Sequence, residues 1–182
     1  MKRTLLSWFP FAFLATVLAL TAYATVQQVY RSSANDPQIQ IAEDTSAQLE
    51  AGAPLTAVVP PRPVDMARSL APYVIVFDDR GMPIAASVRL NGRVPVPPPG
   101  VFDVTRRTPE QRLTWQPAPG IRNAMVMRHF GGSNPGFVLA GRSLREVENR
   151  IARLSGIVVS LWAGALGFLL VYFGIAAWFG AS

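Results

Sequence analysis

The run from Ile157 to Phe179 constrains this chain more than any other stretch: 23 residues without an Asp, Glu, Lys or Arg. As a helix rising about 1.5 Å per residue it would reach roughly 34 Å, enough to cross a hydrocarbon core of about 30 Å. A buried core helix is the competing reading, but soluble domains rarely hold so long an uncharged run. Immediately upstream the character changes. Leu144, Val147, Ile151 and Leu154 recur at spacings of three and four, a helical seam, and Arg145, Glu146, Glu148, Asn149, Arg150 and Arg153 fill the other faces. Ser143-Leu144-Arg145-Glu146 has the form of a capping box, which predicts a helix start at Ser143. With no turn signal before Phe179, the pattern predicts one helix: polar over 143–156 and a membrane span over 157–179.

The other end of the chain is also apolar. After a basic Met1-Lys2-Arg3, the stretch from Leu5 to Val29 carries only Ser, Thr, Gln and Tyr as polar interruptions. Two readings compete: a retained signal anchor over 1–30, or a cleaved signal peptide with Ala22-Tyr23-Ala24 as its processing motif. The length of the run, and helix-compatible residues continuing to Tyr30, favour the anchor. Pro10 would at most kink the first turns. Lys2 and Arg3 place the amino end inside, so two spans leave the central loop outside. Arg142, Arg145, Arg150 and Arg153 at the second span oppose this orientation, but the positive-inside bias weakens for loops longer than about 60 residues.

Charge and cysteine content narrow the chemistry. The formal charge of +6 over 182 residues comes from scattered arginines, with Lys2 the only lysine, and no nucleic-acid motif accompanies them. Nucleic-acid binding is therefore not expected. The absence of cysteine removes disulfides, thiol catalysis and thiolate metal sites without deciding the compartment.

The middle of the chain reads as an α+β domain over 36–154. Ser32-Ser33-Ala34-Asn35 is a breaker, and Asp36-Pro37 offers an N-cap followed by Pro at the first helical position. A helix to about Ala51 follows, with Ile39, Ala42, Ser46 and Leu49 on one stripe and Gly52-Ala53-Pro54 as its stop. Residues 55–63 read as an extended, Pro-rich connector and 65–70 as a short helix capped by Asp65. Strands are predicted at 73–77, 83–88, 113–115, 121–130 and 136–140. Turns fall at Asp78-Asp79-Arg80-Gly81, Asn91-Gly92, 95–100, Pro117-Ala118-Pro119-Gly120 and 131–135, with a short helical turn at Thr108-Pro109-Glu110. This order predicts an antiparallel sheet of about five strands covered by the N-terminal helices, with Val74, Val76, Trp115 and Leu139 in its core.

Two segments carry a likeness. Tyr73-Val74-Ile75-Val76-Phe77-Asp78-Asp79-Arg80-Gly81 and the stretch from Gly136 through Arg142-Ser143-Leu144-Arg145 to Glu148 resemble the PAS-like or Cache-like extracytoplasmic sensor region of bacterial two-component sensor histidine kinases. In that family an apolar strand, an acidic turn and a second strand open the sheet, and a last strand runs into the helix that re-enters the membrane. The resemblance covers most of 36–154 and both flanking spans. It implies a PAS-like domain outside the bacterial cytoplasmic (inner) membrane, a homodimer, and detection of a ligand or envelope state. Only Gly-Ala-Ser follows Phe179, so the linker, phospho-accepting His and nucleotide-binding domain of the family are not expected here. The signal would pass through the membrane helices to a partner such as a histidine kinase. A non-sensing scaffold of the cell envelope is the alternative, and a secreted domain held only by its C-terminal span a third.

Enzymatic constellations are hard to find. His129 is the only histidine, which excludes His-rich metal sites and an H-E-x-x-H motif. No G-x-S-x-G elbow supports a Ser-His-Asp triad. Asp78-Asp79 reads as turn-capping residues rather than a catalytic or metal pair. Gly131-Gly132 lacks the Lys-Ser/Thr of a phosphate loop. Neither enzymatic activity, a cofactor nor a metal is expected. Arg122, Arg128 and His129 are candidates for an anion pocket with Trp115 as an aromatic wall; the rival reading has the first three facing water and Trp115 in the core. Two stripes of small residues, Ala12, Ala15, Ala19 and Ala22 on the first span and Ser160, Gly164, Gly167 and Gly174 on the second, predict close packing between the spans or with a second copy. Dimerisation of the pair would give a four-helix bundle. The competing reading is that Gly and Ala are simply common in membrane helices.

Overall fold

Tyr73-Val74-Ile75-Val76-Phe77 is apolar at every position, so a strand built from it needs cover on both faces. All five side chains are buried in the computed structural model, which describes residues 2–33 and 36–179, with side chains over 7–29 and 37–179. In chain order the elements are α1 (Lys2–Ser33), α2 (Asp36–Glu50), α3 (Leu55–Val58), β1 (Val64–Asp65), β2 (Tyr73–Asp78), β3 (Pro83–Ala86), β4 (Val88–Arg89), α4 (Pro99–Thr105), β5 (Gln111–Ala118), β6 (Ile121–Phe130), β7 (Gly136–Ser143) and α5 (Arg145–Phe179). The chain divides into two compact units, one of the two terminal helices and one spanning Ser32–Val147.

The Ser32–Val147 unit is α+β. Its sheet has the order β3-β2-β7-β6-β5, antiparallel at every pairing, and a separate two-stranded ribbon joins β1 to β4 in parallel. Successive side chains alternate between the two faces of a strand. Tyr73, Ile75, Phe77, Trp115, Met125, Met127, Phe137 and Leu139 share one face, packed with Met66, Val88, Val101 and Phe102. Val74, Val76, Val126, Val138 and Ala140 face the other way, under α2 and α3 through Ile41, Ala42, Leu49, Leu55 and Val58. The four residues expected in the core are all buried, two on each face.

Helix α2 follows the expected stripe. Ala42 and Ser46 are buried, and Ile39 and Leu49 are half-buried. It ends at Gly52, whose φ of 86° lets the Gly52 amide reach the Leu49 carbonyl and the Ala53 amide reach the Gln48 carbonyl. This double bond pattern satisfies carbonyls that a helix end otherwise leaves free. Asn91 and Gly92, at φ 50° and 79°, form the tight turn joining Leu90 to Arg93.

Several boundaries differ from the sequence-based expectation. The connector at 55–63 is not extended throughout, because Leu55–Val58 closes into a helical turn whose Leu55 and Val58 pack on Val59 and Val74. Asp65 caps a turn rather than a helix: its Oδ1 accepts from the Ala67 amide at 2.9 Å, while Asp65 itself pairs in β1. The strand expected over 83–88 splits at Ser87, whose hydroxyl turns inward to the backbone of Val74. A helix forms at Pro99–Thr105 where a loop was expected, and Thr108-Pro109-Glu110 is not helical. β5 extends far beyond 113–115, since its ends gain partners on β6. β7 continues through Ser143, which pairs with Asn123, so α5 starts at Arg145 and the Ser143 Oγ accepts from the Arg145 amide at 3.3 Å.

The terminal helices form the other unit. α1 stays helical through Pro10 and includes Ser32 and Ser33, which were expected in a breaker; Ala34, Asn35 and the Asp36 side chain fall outside the described residues. Both helices are long and apolar enough to cross a membrane, with apolar windows at Ser7–Val29 and within Arg145–Phe179. The α5 helix is unbroken through Gly156.

Candidate functional site

The four residues proposed for an anion pocket do not converge. Arg128 and His129 are neighbours on β6 and point to opposite faces, as strand geometry requires. Arg128 Nη1 lies 2.9 Å from Glu43 Oε1 of α2 and 3.5 Å from Glu110 Oε2, so its charge is already engaged by two carboxylates. His129 sits edge-on to Phe137 with ring centroids 5.0 Å apart, and its Nε2 is 3.6 Å from Asp79 Oδ1. Arg122 is exposed at the far end of the same strand, where its carbonyl accepts from the Leu144 amide at 2.9 Å. Trp115 is buried on the same face as His129, but it pairs with Asn123 at the opposite end of β6.

Around His129 a charged end-cap closes the sheet. Asp78 Oδ1 accepts from the amides of Arg80 and Met82 at 3.0 and 2.7 Å, which gives it the turn-holding role read from its sequence. Asp79 attracts His129 and also Arg106 Nε at 3.6 Å; Arg106 Nη1 donates to Asp103 at 3.2 Å. The Arg106 guanidinium stands 5.1 Å from the centre of the Phe137 ring, a cation over an aromatic face. Sequence reading missed Arg106 because Asp79 and Phe137, which it meets, lie on a turn and a strand distant in the chain. Arg106 lies between Asp79 and Asp103, so these contacts latch the β2–β3 turn to α4.

The opposite end of the same face is built differently. Asn123 is fully buried, and neither its amide nitrogen nor its oxygen has a hydrogen-bond partner among the described residues. Tyr73 is buried too; its hydroxyl is likewise unpaired, and desolvation raises its ionisation above the ordinary phenol range. Its ring fills the space over Gly141, its partner on β7, so closely that a Cβ there would collide with the ring carbon bearing the hydroxyl. Core polar groups without partners are rare, since each costs about 1–3 kcal/mol.

Beside this corner Trp115 forms part of a groove of about 770 Å³. Its other walls are Leu90, Val96 and a series of prolines, Pro95, Pro97 and Pro98 from the segment before α4, Pro99 from its first turn and Pro117 from β5. Asn91, Arg93 and Gln116 supply the polar rim. The prolines were legible in sequence only as loop formers; their convergence on Trp115 depends on the β5 extension.

In the helix unit, α1 and α5 run antiparallel and meet through large side chains. Trp162 Nε1 donates to Thr16 Oγ1 at 3.0 Å, and the rings of Phe11 and Phe173 lie 5.9 Å apart. Ala12 is buried, Ala15 and Ala19 are half-buried, and Ala22 is exposed. Ala19 also lines an apolar groove of about 390 Å³ with Thr16, Leu20, Tyr23, Ser155, Val158, Val159 and Trp162. The second stripe behaves differently. Ser160, Gly164, Gly167 and Gly174 are all exposed, and a Cβ at any of the three glycines would meet no atom within 4 Å. Within one chain, then, close approach through the glycines does not occur.

No protein-family model matches this chain, and no curated protein matches it.

Proposed function

We propose that this chain is a sensor-type protein of the bacterial inner membrane. Its sheet domain, of the PAS-like kind and extracytoplasmic, detects a ligand or an envelope state. The two apolar helices then carry the change to a membrane partner such as a histidine kinase, with the chain acting as a homodimer. The observation that supports this reading is the junction after β7. That strand is held on both sides, by β2 and β6, and a single residue, Leu144, separates it from α5. The first residue of α5 is tied down as well: the Arg145 guanidinium donates to the carbonyls of Ala67 and Arg68 at 3.2 and 2.7 Å, and Arg142 donates to the Leu70 carbonyl at 3.2 Å. A shift of the sheet or of the 66–70 turn would reach the helix start without passing through a flexible linker, as helix-displacement switches require.

The test pairs a capture from native membranes with a thermal-shift screen of the full chain in detergent. A co-purifying kinase, together with a small molecule that raises the melting temperature, is the expected result. Capture of envelope proteins lacking any output module, with no ligand-dependent shift, would replace the sensor by the scaffold.

A further inference from the structure

The Trp115 groove carries one ionisable side chain, Arg93, and no carboxylate. Arg93 is exposed, and its guanidinium makes no hydrogen bond or ion pair among the described residues. This sets it apart from Arg68, Arg106, Arg112, Arg128 and Arg142, each of which faces an acid. The tight Asn91-Gly92 turn fixes where Arg93 leaves the backbone, and the proline walls hold their shape with little rotameric freedom to lose on binding. A volume of about 770 Å³ matches sites that enclose small organic molecules. Polar and apolar side chains both line it: an arginine beside an indole, Val96 and pyrrolidine rings.

We propose that this groove binds a small amphipathic carboxylate, with the acid group on Arg93 and the apolar body against Trp115, Val96 and the prolines. The charge argument selects the class. An amine would find no acid in the lining, and a fully apolar ligand would leave the guanidinium unused, whereas a carboxylate takes two parallel N–H bonds from it. The unpaired Asn123 amide and Tyr73 hydroxyl, on the same face and at the same end of the sheet, mark this corner as one where packing alone does not explain the residues present. The proposal deepens the sensor reading by naming a ligand class for the same domain, but it is tested by binding alone, so the two can fail separately.

Phenylacetate is a suitable probe, with phenylacetamide as its uncharged counterpart. Isothermal titration of the full chain in detergent, corrected with empty micelles, should give saturable phenylacetate binding at least about tenfold tighter than the amide, the least that charge-assisted hydrogen bonding to Arg93 contributes. Arg93→Gln should erase that preference and leave amide binding unchanged. Val96→Asp, at a position 46% exposed and so harmless to folding, should abolish phenylacetate binding by placing a like charge beside it. Absence of saturable binding to the unsubstituted protein would overturn the proposal. So would a preference for the acid that survives both substitutions.

Discussion

The sheet unit and the helix unit contain the same kinds of apolar side chain and dispose of them in opposite ways. In the sheet, Ile75, Phe77, Phe137 and Leu139 are wholly inaccessible, and strands β2, β6 and β7 are covered on both faces. Along α5 no residue is buried, and Phe168, Trp178 and Phe179 are at least 70% exposed. Burying a large apolar side chain is worth about 1.5–3 kcal/mol, so the sheet supplies its own stabilisation from within. The helix pair forgoes it, and its contacts include an indole–hydroxyl bond, a ring contact and a shallow groove. Such a pair is stable where the surroundings are themselves apolar, which is the physical content of two helices long and apolar enough to cross a membrane. One unit is specified by jigsaw packing; the other leaves its apolar side chains largely uncovered within the chain. Substitutions should therefore act in opposite fashion in the two.

The sharpest contrast comes from glycines. A methyl group at Gly136 would collide with the Phe77 carbonyl oxygen on the neighbouring strand, and backbone cannot step aside as a side chain can. Gly136→Ala should cost about 3 kcal/mol, the upper end for overpacking, and lower the melting temperature of the sheet unit by more than roughly 10 °C. Circular dichroism melting of the full chain in detergent checks this; a shift of only a degree or two would mean that β2 and β7 lie less tightly together than described.

Ser87→Ala should have an intermediate effect. Its hydroxyl is the acceptor for the buried Val74 amide at 2.8 Å, and removing it strands that amide. The expected loss is about 1–2 kcal/mol. Ser87→Thr, which keeps the hydroxyl, should recover part of it; equal loss in both would assign the effect to packing instead.

How much of this contrast could be read beforehand follows the range of the forces involved. The unbroken α5, the stripe on α2 and the strands at 73–78 and 121–130 are local patterns, and periodicity revealed them. Helix α4 was not legible because Pro98-Pro99-Gly100 reads as loop, although Pro is acceptable in a first helical turn. What holds α4 in place is distant: Phe102 meets the edges of Phe77 and Phe137, each at 5.2 Å. The candidates for an anion pocket are separated for a related reason. A separation of one residue on a strand is a separation of two faces, so Arg128 and His129 lie on opposite sides of the sheet. Arg93 gave no signal in sequence, because what separates it from Arg68, Arg106, Arg112, Arg128 and Arg142 is the absence of a facing acid, which only the fold decides.

The smallest effect should come from the helix unit. Replacing Gly164 and Gly167 together by Leu meets open space in one chain, so the melting of the sheet and the helical content should stay unchanged within error. Cross-linking between copies is the complementary readout. Loss of a dimer band on the double substitution would show that a second chain covers the glycine face; a monomer unaffected by it would leave that face to lipid.

The position of β7 has a consequence for how the polypeptide is made. Before Gly136 is available, the strands can form only two hairpins, β2 with β3 and β5 with β6, which share no edge. β7 is the piece that joins them, pairing Ile75 with Leu139 on one side and Met127 with the same Leu139 on the other. Pairing of β2 with β7 also closes a loop of about 60 residues, an entropic debt that slows folding. A nascent chain stalled just short of Gly136 should thus expose both hairpin edges to aggregation, and the sheet should lock only when the ribosome is already reading the codons of α5.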